Sequence, residues 1–210
     1  MEIFSRICHF LRGPNPLHPA VWTDRLTPIS FRRLRPDDLQ QCIQLYALNE
    51  PGRFPKGFIQ KYEKSLVEEG AYFLVAENDG QIIASGGMSY YIREDMAVLF
   101  FGLVHPMHHG KGIGTALLLT RLALLKPIRF NYQVFIFAVE KSIGFYQRFG
   151  FKEFQSWKDP NGDMRPSGRL LFSAGDIRRC RALLKKHGIV FPEDEGQIPL
   201  RTLDYYQRSQ

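Results

Sequence analysis

Two apolar, strand-like runs, MAVLFFGLV at 96–104 and QVFIFA at 133–138, flank a glycine-punctuated turn and a leucine-rich helical stretch, HPMHHGKGIGTALLLTRLALLKP, that stops at Pro127. Strand, helix and strand at this spacing allow few arrangements. The two strands run parallel and the crossover between them is right-handed, so the helix begins at the C-terminal end of the leading strand. In a parallel pair that end is a ligand position.

The turn itself is nearly bare. Gly110, Gly112 and Gly114 stand at alternate positions, so a ligand can reach the main chain, and the first N–H groups of the following helix have no acceptor within it. With the positive end of the helix dipole added, Gly110 to Thr115 reads as an anion cradle suited to phosphate. Two familiar phosphate motifs do not fit. A P-loop needs Lys followed by Ser or Thr directly after its last glycine, whereas Lys111 precedes Gly112 and Gly114. A dinucleotide fingerprint needs G-x-G-x-x-G, and the spacing here is G-x-G-x-G.

Upstream, Ile29 to Leu34 reads as a strand, and Pro36-Asp37-Asp38 opens a helix with Leu39, Ile43 and Tyr46 on one face, ended by Asn49-Glu50-Pro51-Gly52. A second helix runs from about Lys56 to Gly70 with Phe58, Tyr62 and Leu66 four apart. AYFLVAE and QIIASGGMSYY form a hairpin about Asn78-Asp79-Gly80, with a bulge or bend at Gly86-Gly87. Downstream, a helix from Ser142 to Phe149 ends at Gly150, and FKEFQSW and GRLLFS close the sheet as a hairpin. These elements divide the chain into an N-terminal extension, 1–28, a central domain, 29–173, and a C-terminal basic helix and tail, 174–210. The last has Ile177, Cys180, Leu183 and Leu184 on one side of a helix from Gly175 to His187, which is expected to dock on the body.

Composition removes several classes of function. The net charge of +7 sits wholly in the flanks, with six basic against two acidic residues in 1–35 and ten against seven in 158–210, and no aromatic-basic module accompanies it. A nucleic-acid partner is therefore not expected. No apolar run approaches the ~20 residues of a membrane helix. The N-terminal stripe Ile3, Phe4, Ile7, Cys8 and Leu11 has too few basic neighbours for a membrane surface, and is expected to dock on the body or on a second subunit, which leaves a homodimer open. Cys8, Cys42 and Cys180 form no C-x-x-C pair and are odd in number, which points to a reducing compartment, the cytoplasm. His105, His108 and His109 have no carboxylate or cysteine beside them, so no metal is expected.

Val104-His105-Pro106 followed by His109-Gly110-Lys111-Gly112-Ile113-Gly114 resembles the cofactor motif of the GNAT superfamily of N-acetyltransferases, a Val-x-Pro strand end and then Gln/Arg-x-x-Gly-x-Gly/Ala. SIGFYQRFGF, Ser142 to Phe151, is similar to the family's second motif, and the element order of 29–173 fits its fold. The resemblance implies a fold of the α/β (α+β) class: a mixed, mostly antiparallel sheet with a central, splayed parallel strand pair, flanked by helices. It implies acetyl-CoA as cosubstrate, held between the splayed strands by Leu103, Val104, His109, Gly110, Lys111, Gly112, Ile113, Gly114 and Thr115, with Ser142 and Phe145 from the second motif. It also implies Tyr146 as the acid that meets the leaving thiolate, a role a phenol suits. His109 departs from the usual Gln or Arg, and Val139 from an Asn common before the last helix.

The expected activity is acetyl transfer to a primary amine of a small molecule or protein. The alternative is a non-catalytic acyl-CoA sensor that uses its basic C-terminal helix on a partner. MAVLFFGLV contains no acid, so no strand carboxylate deprotonates the amine. Glu50, Glu94, Asp95 and a water chain past Tyr90 and Tyr91 remain as bases, none of them assigned.

Overall fold

The computed structural model describes residues 26–50, 54, 58–68, 71–91, 96–125, 132–158 and 164–193. The N-terminal stripe, Glu94, Asp95 and the tail from 194 onward lie outside the described residues. Among the described residues, seven strands, β1 (Phe31–Arg33), β2 (Tyr72–Asn78), β3 (Gln81–Tyr91), β4 (Met96–Val104), β5 (Tyr132–Phe137), β6 (Lys152–Lys158) and β7 (Met164–Phe172), form one sheet in the order β1-β2-β3-β4-β5-β7-β6. β4 and β5 are parallel, and every other neighbouring pair is antiparallel. The helices are α1 (Leu39–Asn49), α2 (Ile59–Val67), α3 (Ile113–Ala123), α4 (Ile143–Gln147) and α5 (Ala174–Lys186). This is the mixed, mostly antiparallel sheet with one central parallel pair that the resemblance implies.

The run YFLVA in β2 is apolar at every position because both faces of the sheet are covered. Tyr72, Leu74 and Ala76 pack with Leu117, Leu118 and Leu122 of α3 and Ile177, Cys180 and Leu184 of α5. Phe73 and Val75 point the other way, into Cys42, Leu45 and Tyr46 of α1 and Tyr62 and Leu66 of α2. The β2–β3 hairpin turns on Asp79 and Gly80, at φ 50° and 78°, the double positive φ that an Asp-Gly turn supplies.

Several boundaries differ from the sequence reading. β1 is shorter, and α1 is preceded by a 3-10 turn at Pro36–Asp38, where proline fixes the entry. Cys42, Leu45, Tyr46 and Asn49 form the buried face of α1, whereas Leu39 and Ile43 are only partly buried. α3 begins at Ile113, because Gly112 takes a left-handed φ of 80° as its N-cap, and it ends at Ala123, before Pro127. α4 is shorter than the predicted Ser142 to Phe149, its first turn being 3-10 and its end unwinding toward Gly150 at φ 87°.

α5 docks on the body as expected. Ser173 caps it, its hydroxyl accepting from the Asp176 N–H while the Asp176 carboxylate accepts from the Ser173 amide. Arg181 donates to the Ala123 carbonyl at 2.8 Å, satisfying the C-terminal end of α3. Beyond the helix, Val190 pairs in parallel with Ser30, through Phe31 N–H to Val190 O at 2.8 Å and Val190 N–H to Ile29 O at 3.0 Å.

Arg32 holds the start of α1 against the sheet edge. It donates to both oxygens of Asp38, at 2.6 and 2.9 Å, and to Glu77 at 2.8 Å. These bonds, with one from the Arg35 amide, outweigh burial and hold the Asp38 carboxyl below its ordinary pKa. A depressed folded-state pKa gives stability that is present above the unfolded value, about 4, and is lost as pH falls through the folded value. Thermal melts across the acid range should therefore show Asp38→Asn less stable than wild type at neutral pH and less sensitive to acid. Equal melting at neutral pH would make the ion pair energetically silent.

Candidate active site

β4 is paired on both edges only at its start. Met96 to Leu99 face Gln133 to Ile136 of β5, and the register ends there, while on its other edge β4 stays paired with β3 as far as Ala84 opposite Val104. From Phe100 onward, among the described residues, one edge of the strand has no ladder partner, so main-chain donors and acceptors line a gap. β3 and β4 also slip in register: Ser85 faces Leu103 and Gly87 faces Phe100, so β4 carries an extra residue, and Phe101 adopts φ 45°. The gap is a cavity of about 610 Å³ walled by Gly102, Leu103 and Val104 on one side and by Phe137, Val139, Ser142, Phe145 and Tyr146 on the other.

One end of the cavity is the glycine turn. Pro106–His108 forms a 3-10 turn, entered by the His105 ring accepting from the Met107 amide. Gly110 and Gly112 have φ 76° and 80°, and a Cβ at Gly110 would meet nothing within 4 Å. The first main-chain bond of α3 runs from Ala116 N–H to Gly112 O, and among the described residues no amide from Gly110 to Thr115 donates to a main-chain carbonyl. The Gly114 Cβ position lies 3.7 Å from Val104, which explains the third glycine as close helix–strand packing. Thr27 donates to the Lys111 carbonyl at 2.8 Å and ties the turn to the chain before β1.

The residues expected at the cofactor do not all stand in one place. Leu103, Val104, His109, Gly110, Gly112, Gly114, Thr115, Ser142 and Phe145 wall the cavity, as does Tyr146, whereas Lys111 and Ile113 do not. Lys111 is exposed and Ile113 is buried in the core beneath the turn. The His109 amide is taken by Pro106 O at 3.2 Å, and the ring Nε2 lies 2.8 Å from Val104 O, so the imidazole staples the turn to the strand end. Among the described residues there is no group of three or more potential metal ligands.

Tyr146 projects from α4, packed edge-on against Phe145 and Phe151 with ring centroids 5.0 and 5.7 Å apart. Its hydroxyl bonds with the guanidinium of Arg121, a residue the sequence reading passed over. Burial raises the phenol pKa and Arg121 pulls it back only in part, so the hydroxyl keeps its proton at neutral pH. The signal that could have found Arg121 is a single charge inside the apolar run TALLLTRLALL.

On the opposite side the bulge drives Phe101 among Tyr46, Phe58 and Tyr62, at centroid distances of 6.5, 5.9 and 5.0 Å. Phe54 packs tilted against Tyr46, and the buried Asn49, donating to Leu45 O, lines the cavity beside it. Glu50 follows α1 but is not part of the cavity wall. The side chains of Tyr90 and Tyr91 lie outside the described residues.

The parallel pair separates into a bare strand edge that leads to a glycine-lined helix start, the arrangement implied by the resemblance of the two motifs. Residues 69–153 match the model of the acetyltransferase (GNAT) domain. Solved structures agree on the fold. A GNAT-family protein from Desulfovibrio desulfuricans is similar at 20% identity and a TM-score of 0.55, over 68% of this chain and 98% of that one. The PaiA N-acetyltransferase of Thermoplasma acidophilum, solved with coenzyme A, is 18% identical with a TM-score of 0.51, over 69% of this chain and 100% of that one. A GNAT-family acetyltransferase of Brucella melitensis, solved with acetyl-CoA, is 24% identical with a TM-score of 0.51, over 69% and 88% of the two chains. No curated protein sequence matches this chain.

Proposed function

We propose that this protein transfers an acetyl group from acetyl-CoA to a primary amine. The observation that carries the reading is the single cavity that joins an unpaired strand edge, a run of main-chain amides without main-chain acceptors, and a protonated phenol. Acetyl-CoA, when bound, supplies an activated acyl group on a thiol leaving group. The amides of Gly110, Gly112, Gly114 and Thr115 suit its pyrophosphate, and the edge of β4 from Phe100 to Val104 suits an extended polar arm. Main-chain N–H groups of that edge suit an oxyanion, and the protonated Tyr146 hydroxyl suits an acid for the departing sulfur. Phe101, Phe54 and Asn49 shape the entrance for the amine.

The cytoplasmic assignment rests on the cysteines. Burial raises the Cys42 thiol to about 11 and the Cys180 thiol still further, so both are inert packing residues suited to a reducing compartment.

The test is a panel of polyamines, amino sugars and amine-bearing peptides offered with acetyl-CoA, scored by thiol release and by the mass of the acceptor. Amine-dependent release with a matching acetylated product is expected. Tight CoA binding without release from any amine would leave a sensor. With no acid on β4, the rate should climb with pH toward the acceptor's own pKa. A plateau near the carboxylate range that Glu50→Gln abolishes would instead identify an enzyme base.

A further inference from the structure

Arg121 is the largest fully buried side chain among the described residues, 1% exposed, on a helix face otherwise filled by Leu117, Leu118 and Leu122. No carboxylate among the described residues faces it. Its partners are neutral: the carbonyls of Leu117, Gly87 and Phe100, at the long distances of 3.4, 3.3 and 3.4 Å, and the Tyr146 hydroxyl. Tyr146 is the one titratable side chain among the described residues that faces the guanidinium, its other neighbours being Leu117 and the main chain of Gly86, Gly87, Phe100 and Gly102. A buried cation with no counter-ion is costly, and it persists where something offsets the cost.

Two adjacent strands give up their side chains to this group. A Cβ on Gly86 would lie 3.2 Å from the guanidinium carbon, and one on Gly102 would lie 3.1 Å from Nη2. Neither glycine has a positive φ, so packing rather than backbone conformation asks for them. Gly86 lies opposite the register slip of β4, so the bulge and the arginine form one construction. The Cβ position of Gly102 is also 3.5 Å from the Tyr146 hydroxyl, and Gly102 is exposed in the cavity wall. An atom resting on Gly102 is thus within reach of a permanent cation and a proton donor together.

We infer that Arg121 is a catalytic residue of the transfer step, its guanidinium and the Tyr146 hydroxyl together holding the negative charge that leaves on sulfur beside Gly102. This rests on the acetyl-transfer reading. As the amine lone pair forms the N–C bond, the C–S pair departs on sulfur. Tyr146 gives that sulfur its proton, and the proton lost by nitrogen returns through solvent to the phenolate. Arg121 cannot serve as the acid, since a guanidinium keeps its protons. Its part is to stay charged in a water-poor site, where a fixed cation stabilises a transient anion far more than it would in water.

The test pairs Arg121→Met, similar in length and uncharged, with Arg121→Lys, and reads turnover and the ionisation of bound CoA. The second readout follows the ultraviolet absorbance of the thiolate against a blank loaded with S-methyl CoA, and it needs no acetyl transfer. In wild type the bound thiol should ionise below the ~8.5 of a free thiol, and in Arg121→Met at or above it. Turnover of Arg121→Met should fall by about 10²-fold or more at nearly constant KM for acetyl-CoA, with partial recovery in Arg121→Lys. Should Arg121→Met fail to fold, Gly102→Ala, which fills the same point and leaves the cation, should show the same loss of turnover. Unchanged thiol ionisation and unchanged turnover in folded variants would overturn the proposal, as would an Arg121-dependent preference for succinyl-CoA over acetyl-CoA, which would assign the cation to a substrate carboxylate. A wild type that shifts the thiol through Arg121 yet acetylates no amine would sink the transferase reading and leave the anion site standing.

Discussion

Tyr146→Phe should lower turnover by about 10²-fold or more while leaving the affinity for acetyl-CoA nearly unchanged, the range expected for loss of one positioned acid. The substitution keeps the ring between Phe145 and Phe151 and removes the hydroxyl alone. That hydroxyl is also a partner of the buried Arg121, so the variant leaves a donor short of an acceptor. A stability loss of about 1–3 kcal/mol follows, or a melting point lower by several degrees for a chain of this size. The two effects separate readily, because activity measured well below the melting point reports the catalytic loss without the loss of fold. Near wild-type turnover with chemistry shown to limit the rate would make Tyr146 a core aromatic and leave the thiolate to depart unassisted.

Gly112→Glu should abolish measurable CoA binding by calorimetry. The residue is the left-handed N-cap of α3, at φ 80°, in the wall of the cavity. A carboxylate there would oppose the pyrophosphate of the proposed cradle. Any non-glycine side chain pays a conformational cost of about 1–2 kcal/mol at a left-handed position, so charge and strain must be told apart. Gly112→Asn does so, since Asn tolerates this conformation and is a favoured N-cap. It should stay folded and bind CoA with modest loss. Equal loss in both variants would assign the effect to the backbone rather than to the cradle.

The elements that are punctuated locally were legible in the sequence. Asp79-Gly80 announces its turn, Pro127 the end of a helical pattern, and the spacing of MAVLFFGLV and QVFIFA forces a parallel crossover. The splay was not legible from the residues alone. MAVLFFGLV reads as an uninterrupted apolar strand, and nothing in it says that pairing with β5 ends at Leu99. Gly86-Gly87 marked the bend correctly, yet the extra residue lies on β4 across from it, because a register slip belongs to a pair of strands. Arg121 was missed for a related reason. Its meaning depends on Gly86, Gly102 and Tyr146, which come from three other elements, so along the chain it is one charge in a helix. His109 shows the limit of a motif position, since its ring holds the Val104 carbonyl and its amide is already used within the turn.

The proposed cradle is built from main-chain amides, and nuclear magnetic resonance reads those directly. Titration of labelled protein with CoA should move the amide resonances of Gly110, Gly112, Gly114 and Thr115 downfield, the sign of a new acceptor on each. Adenosine diphosphate alone should reproduce the shifts at higher concentration, and pantetheine alone should not. Shifts at these amides with pantetheine but not with the diphosphate, or no shift at all under saturating CoA, would contradict the cradle and with it the placement of the acyl donor.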